Sequence, residues 1–135
     1  MSQENVEVVR RWIDGYNHRD MDGLVELTSP DLEVQSVFEF DFRGYEGLRA
    51  YFVELDGAYD AFQVVPSDLI DAGAAVLMVA LAKWRGKDST AEGETPVQIA
   101  FWLRDGRVFR VKTFRDRRTA LEAVGLSEQD AHGDS

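Results

Sequence analysis

Residues 104–118 read RDGRVFRVKTFRDRR and hold seven of the chain's fifteen basic residues, in a protein of net charge −10. Cations at this density could grip a phosphate or a carboxylate if they shared one face. The period of an extended strand divides them instead. Phe109, Val111, Thr113 and Arg115 fall on one side, Val108, Arg110, Lys112 and Phe114 on the other. Arg110 and Lys112 then belong to a solvated or rim face, since charged residues alternating with apolar ones are ordinary on a half-exposed strand. Arg115 is left over. If alternation holds to the strand's end it points inward and needs an acid or an anionic ligand as partner. A bulge after Thr113 would turn it to solvent, and the sequence leaves both placements open.

Other reactive side chains are few. Asp116 follows the strand and precedes RRTALEAVG, where an N-cap belongs, so a structural role outweighs catalysis. Of the two histidines, His18 stands at a helix end and His132 in the polar tail EQDAHGDS, too few for a histidine-rich metal site. There is no cysteine, hence no disulfide, thiolate nucleophile or sulfur-ligated metal, and no cofactor is expected. Twenty-five acids against fifteen bases repel polyanions, which disfavours nucleic acid and anionic membrane as partners. MSQENVEVVRRW lacks an apolar signal core, and no run approaches the ~18 apolar residues of a membrane span. The expectation is a cytoplasmic protein that meets a small or proteinaceous partner.

A length of 135 residues, 44% of them hydrophobic, fits one domain. We expect it to span residues 1–126, with a flexible tail over 127–135. Val6, Val9, Ile13 and Tyr16 recur at helical spacing, widened by Val8 and Trp12, and predict a helix over residues 3–18. Asp20 can cap a short second helix through Leu24 and Leu27 that Pro30 stops. Alternation from Leu32 predicts a strand ending near Phe38, and Tyr45, Leu48, Phe52, Leu55 and Tyr59 predict a third helix after Gly44, with Tyr51 beside its buried face. FQVVPSDLI is a weaker strand, its Pro66 suited to an edge or a bulge. AVLMVALAKW is apolar on both faces and therefore covered on both. PVQIAFWLR follows, joined by a tight Asp105–Gly106 hairpin to RVFRVKTFR.

Three stretches, VRRWIDGYNHRDMDGLVELTSPDLEV, FRGYEGLRAYF and LRDGRVFRVKTFRDRRTALEAVGL, together resemble the SnoaL-like branch of the nuclear transport factor 2-like (ketosteroid isomerase-like) superfamily, over residues 4–126. The resemblance implies an α+β fold in which a cone-shaped, curved antiparallel sheet wraps the N-terminal helices and encloses an apolar pocket open at one end. By strand and helix parity the pocket-facing set is Trp12, Tyr16, Ser36, Phe38, Phe52, Tyr59, Met78, Ala80, Trp84, Ile99, Phe101, Val111, Thr113 and, if turned inward, Arg115. Singly, such aromatics are core residues; inside a cone they suggest a cavity for a hydrophobic, ring-containing ligand. Relatives commonly dimerise through the outer sheet face. Leu77, Val79, Leu81, Ala100 and Trp102 outward would form a patch too apolar for a monomer, so a homodimer is expected.

The reaction is harder to name. Matched to the ketosteroid isomerases of the superfamily, the oxyanion-binding tyrosine falls on Trp12, the aspartate base on Gln35 or Ser36 and the second acid on Ile99, so none of that chemistry survives. The limonene epoxide hydrolase branch places an arginine and an aspartate two apart, and no Arg-x-Asp occurs here. Polyketide cyclases of the SnoaL type rely on a pocket carboxylate, for which Asp68, Asp116, Glu39 and Asp41 are the candidates. Three functions stay open: an isomerase, cyclase or hydrolase working by general acid/base catalysis on a hydrophobic metabolite, a protein that binds such a molecule unchanged, and a dimeric interaction module. A carboxylate turned into the pocket favours the first, an apolar chamber without one the second, a filled interior the third.

Overall fold

A computed structural model of the chain describes residues 2–36 and 41–127. Phe38, Glu39, His132 and nearly all of the expected tail lie outside the described residues.

Helix α1 (Ser2–Asn17) buries the predicted stripe of Val6, Val9, Trp12, Ile13 and Tyr16. The chain reverses through Arg19, whose φ of 55° lies in the left-handed region, and Asp20 caps α2 (Met21–Leu27) by accepting the Gly23 amide at 3.1 Å. Pro30 does not end this helix. Thr28 does, and it opens strand β1 (Thr28–Gln35), in which Pro30 is an exposed member. The Thr28 hydroxyl donates back to the Leu24 carbonyl at 2.6 Å, serving one of the helix's end carbonyls as the main chain turns extended. Phe42 belongs to a separate two-residue strand, β2 (Phe42–Arg43), and Gly44, at φ 67°, starts α3 (Gly44–Ala58).

Four long strands follow: β3 (Tyr59–Asp71), β4 (Ala75–Gly86), β5 (Glu92–Arg104) and β6 (Arg107–Phe114), then helix α4 (Arg117–Ala123). The sheet order is β2-β1-β6-β5-β4-β3. Its pairings are antiparallel except that β1 runs parallel to β6, a seam absent from the wholly antiparallel expectation. Pro66 sits on edge strand β3 beside a register shift between Pro66 and Asp68, where its missing amide proton costs no ladder bond. Asp105 (φ 54°) and Gly106 (φ 76°) make the β5–β6 hairpin, both central residues left-handed as such two-residue turns require.

The sheet has two covered faces. Val64, Met78, Ala80, Ala82, Val97, Ile99, Phe101, Val108 and Val111 belong to the core shared with α1 and α3. Behind it, Leu77, Ala100 and Phe114 pack with Ala120 and Leu121 of α4. The outer apolar patch predicted for a partner is thus partly roofed by the chain's own last helix, which reaches back because Asp116 caps it, accepting the Thr119 amide at 2.8 Å.

The hairpin corrects the parity of β6. Trp102 pairs with Arg110 but Leu103 pairs with Val108, so an extra residue is inserted at Phe109. Val108 therefore faces the core, and Phe109 lies half-buried under the Arg104 guanidinium, 4.5 Å from its ring centroid, instead of lining the cone. Arg110 covers Trp102 at 4.5 Å and Lys112 covers Phe114 at 5.3 Å. Three of the seven cations in the basic stretch thus shield aromatic faces, each contact being worth roughly 0.5–1 kcal/mol at such exposure. Arg115, counted among the candidate pocket residues, lies past the end of β6 and is exposed.

Candidate functional site: an aromatic chamber with paired hydroxyls

Between α1, α3 and the inner sheet face lies a cavity of about 70 Å³. Trp12, Ile13 and Tyr16 come from α1, Leu48 and Tyr51 from α3, Val34 and Phe42 from β1 and β2, Ser36 from just past the end of β1, and Phe62, Val64, Ala82, Val97, Ile99, Phe101, Val111 and Thr113 from the rest of the sheet. A second cavity of about 280 Å³ continues outward, lined by Ser36, Tyr51, Leu55, Tyr59, Phe62, Ala82, Trp84 and Thr95. The two share Ser36, Tyr51, Phe62 and Ala82.

The inner walls are braced ring against ring. Trp12 meets Phe101 edge-on with centroids 5.5 Å apart, Tyr16 meets Phe52 at 5.4 Å, and Tyr51 stacks on Phe42 at 5.0 Å. Trp12 directs its indole N–H to the Thr28 hydroxyl at 2.9 Å, so this polar atom is satisfied by the scaffold. The polar groups that line the chamber are hydroxyls: Tyr16 and Tyr51, whose oxygens lie 2.7 Å apart, with Ser36 and Thr113. Burial pushes the pKa of Tyr16 well up, with the neighbouring Tyr51 adding to the effect. Burial likewise raises Tyr51, partly offset by its hydrogen bond to Tyr16. Both stay protonated and act as donors or acceptors of hydrogen bonds, not as bases at neutral pH.

The expected acids are elsewhere. Asp68 is exposed and accepts its neighbour Leu69's amide. Asp116 is held below the ordinary carboxylate range by the Thr119 amide and hydroxyl, as a cap. Asp41 is exposed and accepts the Ser36 amide at 3.3 Å. Among the described residues, no carboxylate lines either cavity, and no cluster of His, Asp or Glu is grouped to hold a metal ion. Nor is any helix among them long and apolar enough to cross a membrane.

Of the candidate site residues, the structure brings Trp12, Tyr16, Ser36, Ile99, Phe101, Val111 and Thr113 to the inner chamber, and Tyr59 and Trp84 to the outer cavity. Phe52 and Met78 are buried in the same core. Trp12, Ser36 and Ile99, onto which an isomerase's reactive groups would fall, all stand in the chamber wall and offer it no acid. Parity missed Phe62, because a register shift at Asp60 turns both Tyr59 and Phe62 to the inner face although they are three apart. It also missed Phe42, which the chain presents only after leaving β1.

A model of the SnoaL-like domain matches residues 9–111. The chain belongs to the SnoaL-like domain family. Its fold is that of the nuclear transport factor 2-like proteins, and several solved structures share it. TerC, co-crystallised with polyporic acid, is 16% identical with a TM-score of 0.75, over 90% of this chain and 98% of its own. An NTF2-like protein of unknown function from Burkholderia pseudomallei is 14% identical with a TM-score of 0.76, over 93% and 98%. A candidate SnoaL-like polyketide cyclase from Jannaschia is 23% identical with a TM-score of 0.74, over 90% and 92%. At these identities the likeness is one of fold. Among curated protein sequences none matches the chain. In this SnoaL-like chain the chamber walls are rings and hydroxyls.

Proposed function

We propose that the chain binds a small hydrophobic molecule containing a ring, and holds one oxygen of that molecule through the Tyr16–Tyr51 hydroxyl pair. The observation that carries this reading is that pair, 2.7 Å apart and part-buried in a chamber walled mainly by apolar side chains. A buried hydroxyl pair can extend its hydrogen bond to a carbonyl or phenol oxygen without removing a charge from water, which suits a neutral ligand. The fold likeness to TerC, co-crystallised with polyporic acid, supports a small-molecule ligand for this fold. Binding without conversion is the better-supported form, because proton transfer needs a base and no described carboxylate lines the chamber. A cyclase or isomerase reading is favoured only by the fold likeness to the candidate polyketide cyclase.

In the same reading the chain pairs with a second copy through the part of the outer face that α4 leaves uncovered. What supports this is a row across three strands: Val65 is 39% exposed, Leu81 beside it is half-buried, and Pro96 is exposed.

A thermal-shift screen with phenols, naphthols, lactones and hydrophobic acids tests the ligand proposal. A compound that prefers the native state raises the melting temperature, by an amount equivalent to about 2.7 kcal/mol at a hundred times its Kd. Neutral oxygen-bearing rings should raise it more than their carboxylate analogues. A screen in which none of these classes shifts the transition would reject the binding reading.

A further inference from the structure

Phe62 borders three spaces at once: the inner chamber, the outer cavity beside Trp84, and an open groove whose charged walls include Arg19, Asp56, Lys83 and Glu94. Its position is fixed from both sides. In the ladder it stands directly opposite Trp84, and its ring lies 5.0 Å from that of Tyr59. On the free edge of β3, Arg19 donates to the Phe62 carbonyl at 3.3 Å, while Asn17 donates to the Val64 carbonyl at 2.8 Å and accepts the Val64 amide at 2.9 Å. The end of α1 therefore pins Phe62 and, two residues on, Val64 of the inner wall, and does so with hydrogen bonds that an edge strand otherwise gives to water.

The volumes on either side differ in what they admit. An apolar cavity of about 150 Å³ accepts benzene. The inner chamber, at about 70 Å³, is too small for a ring, whereas the outer cavity, at about 280 Å³, is large enough for one. Yet the Tyr16 hydroxyl is reached only from the inner side, since Tyr16 lines the inner chamber and not the outer cavity.

We infer that Phe62 sets which ring compounds the site accepts: the ligand's ring rests in the outer cavity against Trp84 and Tyr59, and only a small oxygen-bearing substituent passes Phe62 to reach the Tyr16 hydroxyl, Tyr51 bordering both spaces. The ligand class is then a single ring carrying a hydroxyl or carbonyl group, and a fused second ring is resisted at Phe62. This rests on the binding reading above and adds a residue that controls it.

The test is isothermal titration calorimetry of the wild type, Phe62→Ala and Phe62→Leu with phenol and 2-naphthol. Removing the partition joins the two spaces. The ratio of naphthol to phenol affinity should therefore rise at least tenfold in Phe62→Ala and about threefold in Phe62→Leu. A ratio within twofold of wild type in a Phe62→Ala protein with an unchanged circular dichroism spectrum overturns the inference while leaving the binding reading intact. If Phe62→Ala does not fold, Phe62→Leu decides, and an unchanged ratio there overturns it equally. A wild type that binds neither compound refutes the binding reading, and the inference with it.

Discussion

The inner chamber and the charged groove outside it lie a single aromatic ring apart, yet they are built on opposite chemistry. The chamber offers four hydroxyls and, among the described residues, no charge. The groove carries Arg19, Lys83 and Arg85 against Asp56, Asp60, Glu92 and Glu94, several of them paired: Arg19 with Asp56 at 3.1 Å and Lys83 with Glu94 at 3.6 Å. The difference shows how a strongly acidic protein keeps a neutral interior. Its charges are matched at the rim, and Arg19 turns its guanidinium over the backs of the Tyr16 and Phe52 rings, 5.5 and 5.1 Å from their centroids, instead of into the chamber.

Removing a wall should have the largest effect on this contrast. Trp12→Ala deletes a buried ring that braces Phe101 and should cost about 3–5 kcal/mol in urea denaturation. A cost below ~1 kcal/mol would mean that the chamber is not held open by its aromatics. Arg19→Ala comes next. It removes hydrogen bonds to the Tyr16 and Phe62 carbonyls and the pair with Asp56, and a loss of about 1.5–3 kcal/mol is expected, because those bonds come from a charged donor. The same variant should leave groove and chamber less separate, seen as faster quenching of tryptophan fluorescence by acrylamide.

A smaller effect is expected at Gly93. A Cβ there would lie 2.8 Å from Cζ2 of Trp84, whose indole rests across the glycine and donates to Thr95 at 3.3 Å. Gly93→Ala should displace the indole into the outer cavity and weaken ring-ligand binding about tenfold, equivalent to ~1.4 kcal/mol, with little change in melting temperature. Unchanged affinity would remove Trp84 from the site.

The smallest effect concerns pH. Tyr16 and Tyr51 have raised pKa values, so the folded state keeps their protons after the unfolded chain has lost them. Their contribution to stability is fully present below the ordinary tyrosine value of about 10 and is lost as the pH rises above it. Absorbance titration at high pH should show Tyr16 and Tyr51 ionising later than an unburied tyrosine, and Tyr51→Phe should remove one late step.

Much of this was legible in the sequence, up to the points where the backbone breaks its own period. Helical spacing placed Trp12 and Tyr16 on the buried face of α1, and strict alternation placed Trp84, Ile99, Phe101 and Val111 toward the interior. Alternation fails at a bulge, and a bulge leaves little trace in side-chain pattern. The inserted residue at Phe109 turned that ring out and Val108 in. The shift at Asp60 brought Phe62 to the same face as Tyr59, at a spacing that resembles a helix more than a strand. The Tyr16–Tyr51 bond was beyond reach for another reason: it joins residues 35 apart on two different helices, and its length depends on how those helices pack. Arg115 stayed ambiguous because it stands just past the last ladder pair of β6, where no neighbouring strand dictates its direction.

Phenol titration tests directly the proposal that the tyrosine pair receives a ligand's oxygen inside the chamber. The chain has four tyrosines, so protein labelled with ¹³C at the tyrosine Cζ atoms gives four resonances to follow by NMR as phenol is added. Tyr16 and Tyr51 should shift together with one saturating midpoint, while Tyr45, whose hydroxyl donates to the Thr28 carbonyl away from the chamber, stays in place. Saturation with Tyr16 and Tyr51 unmoved would contradict it.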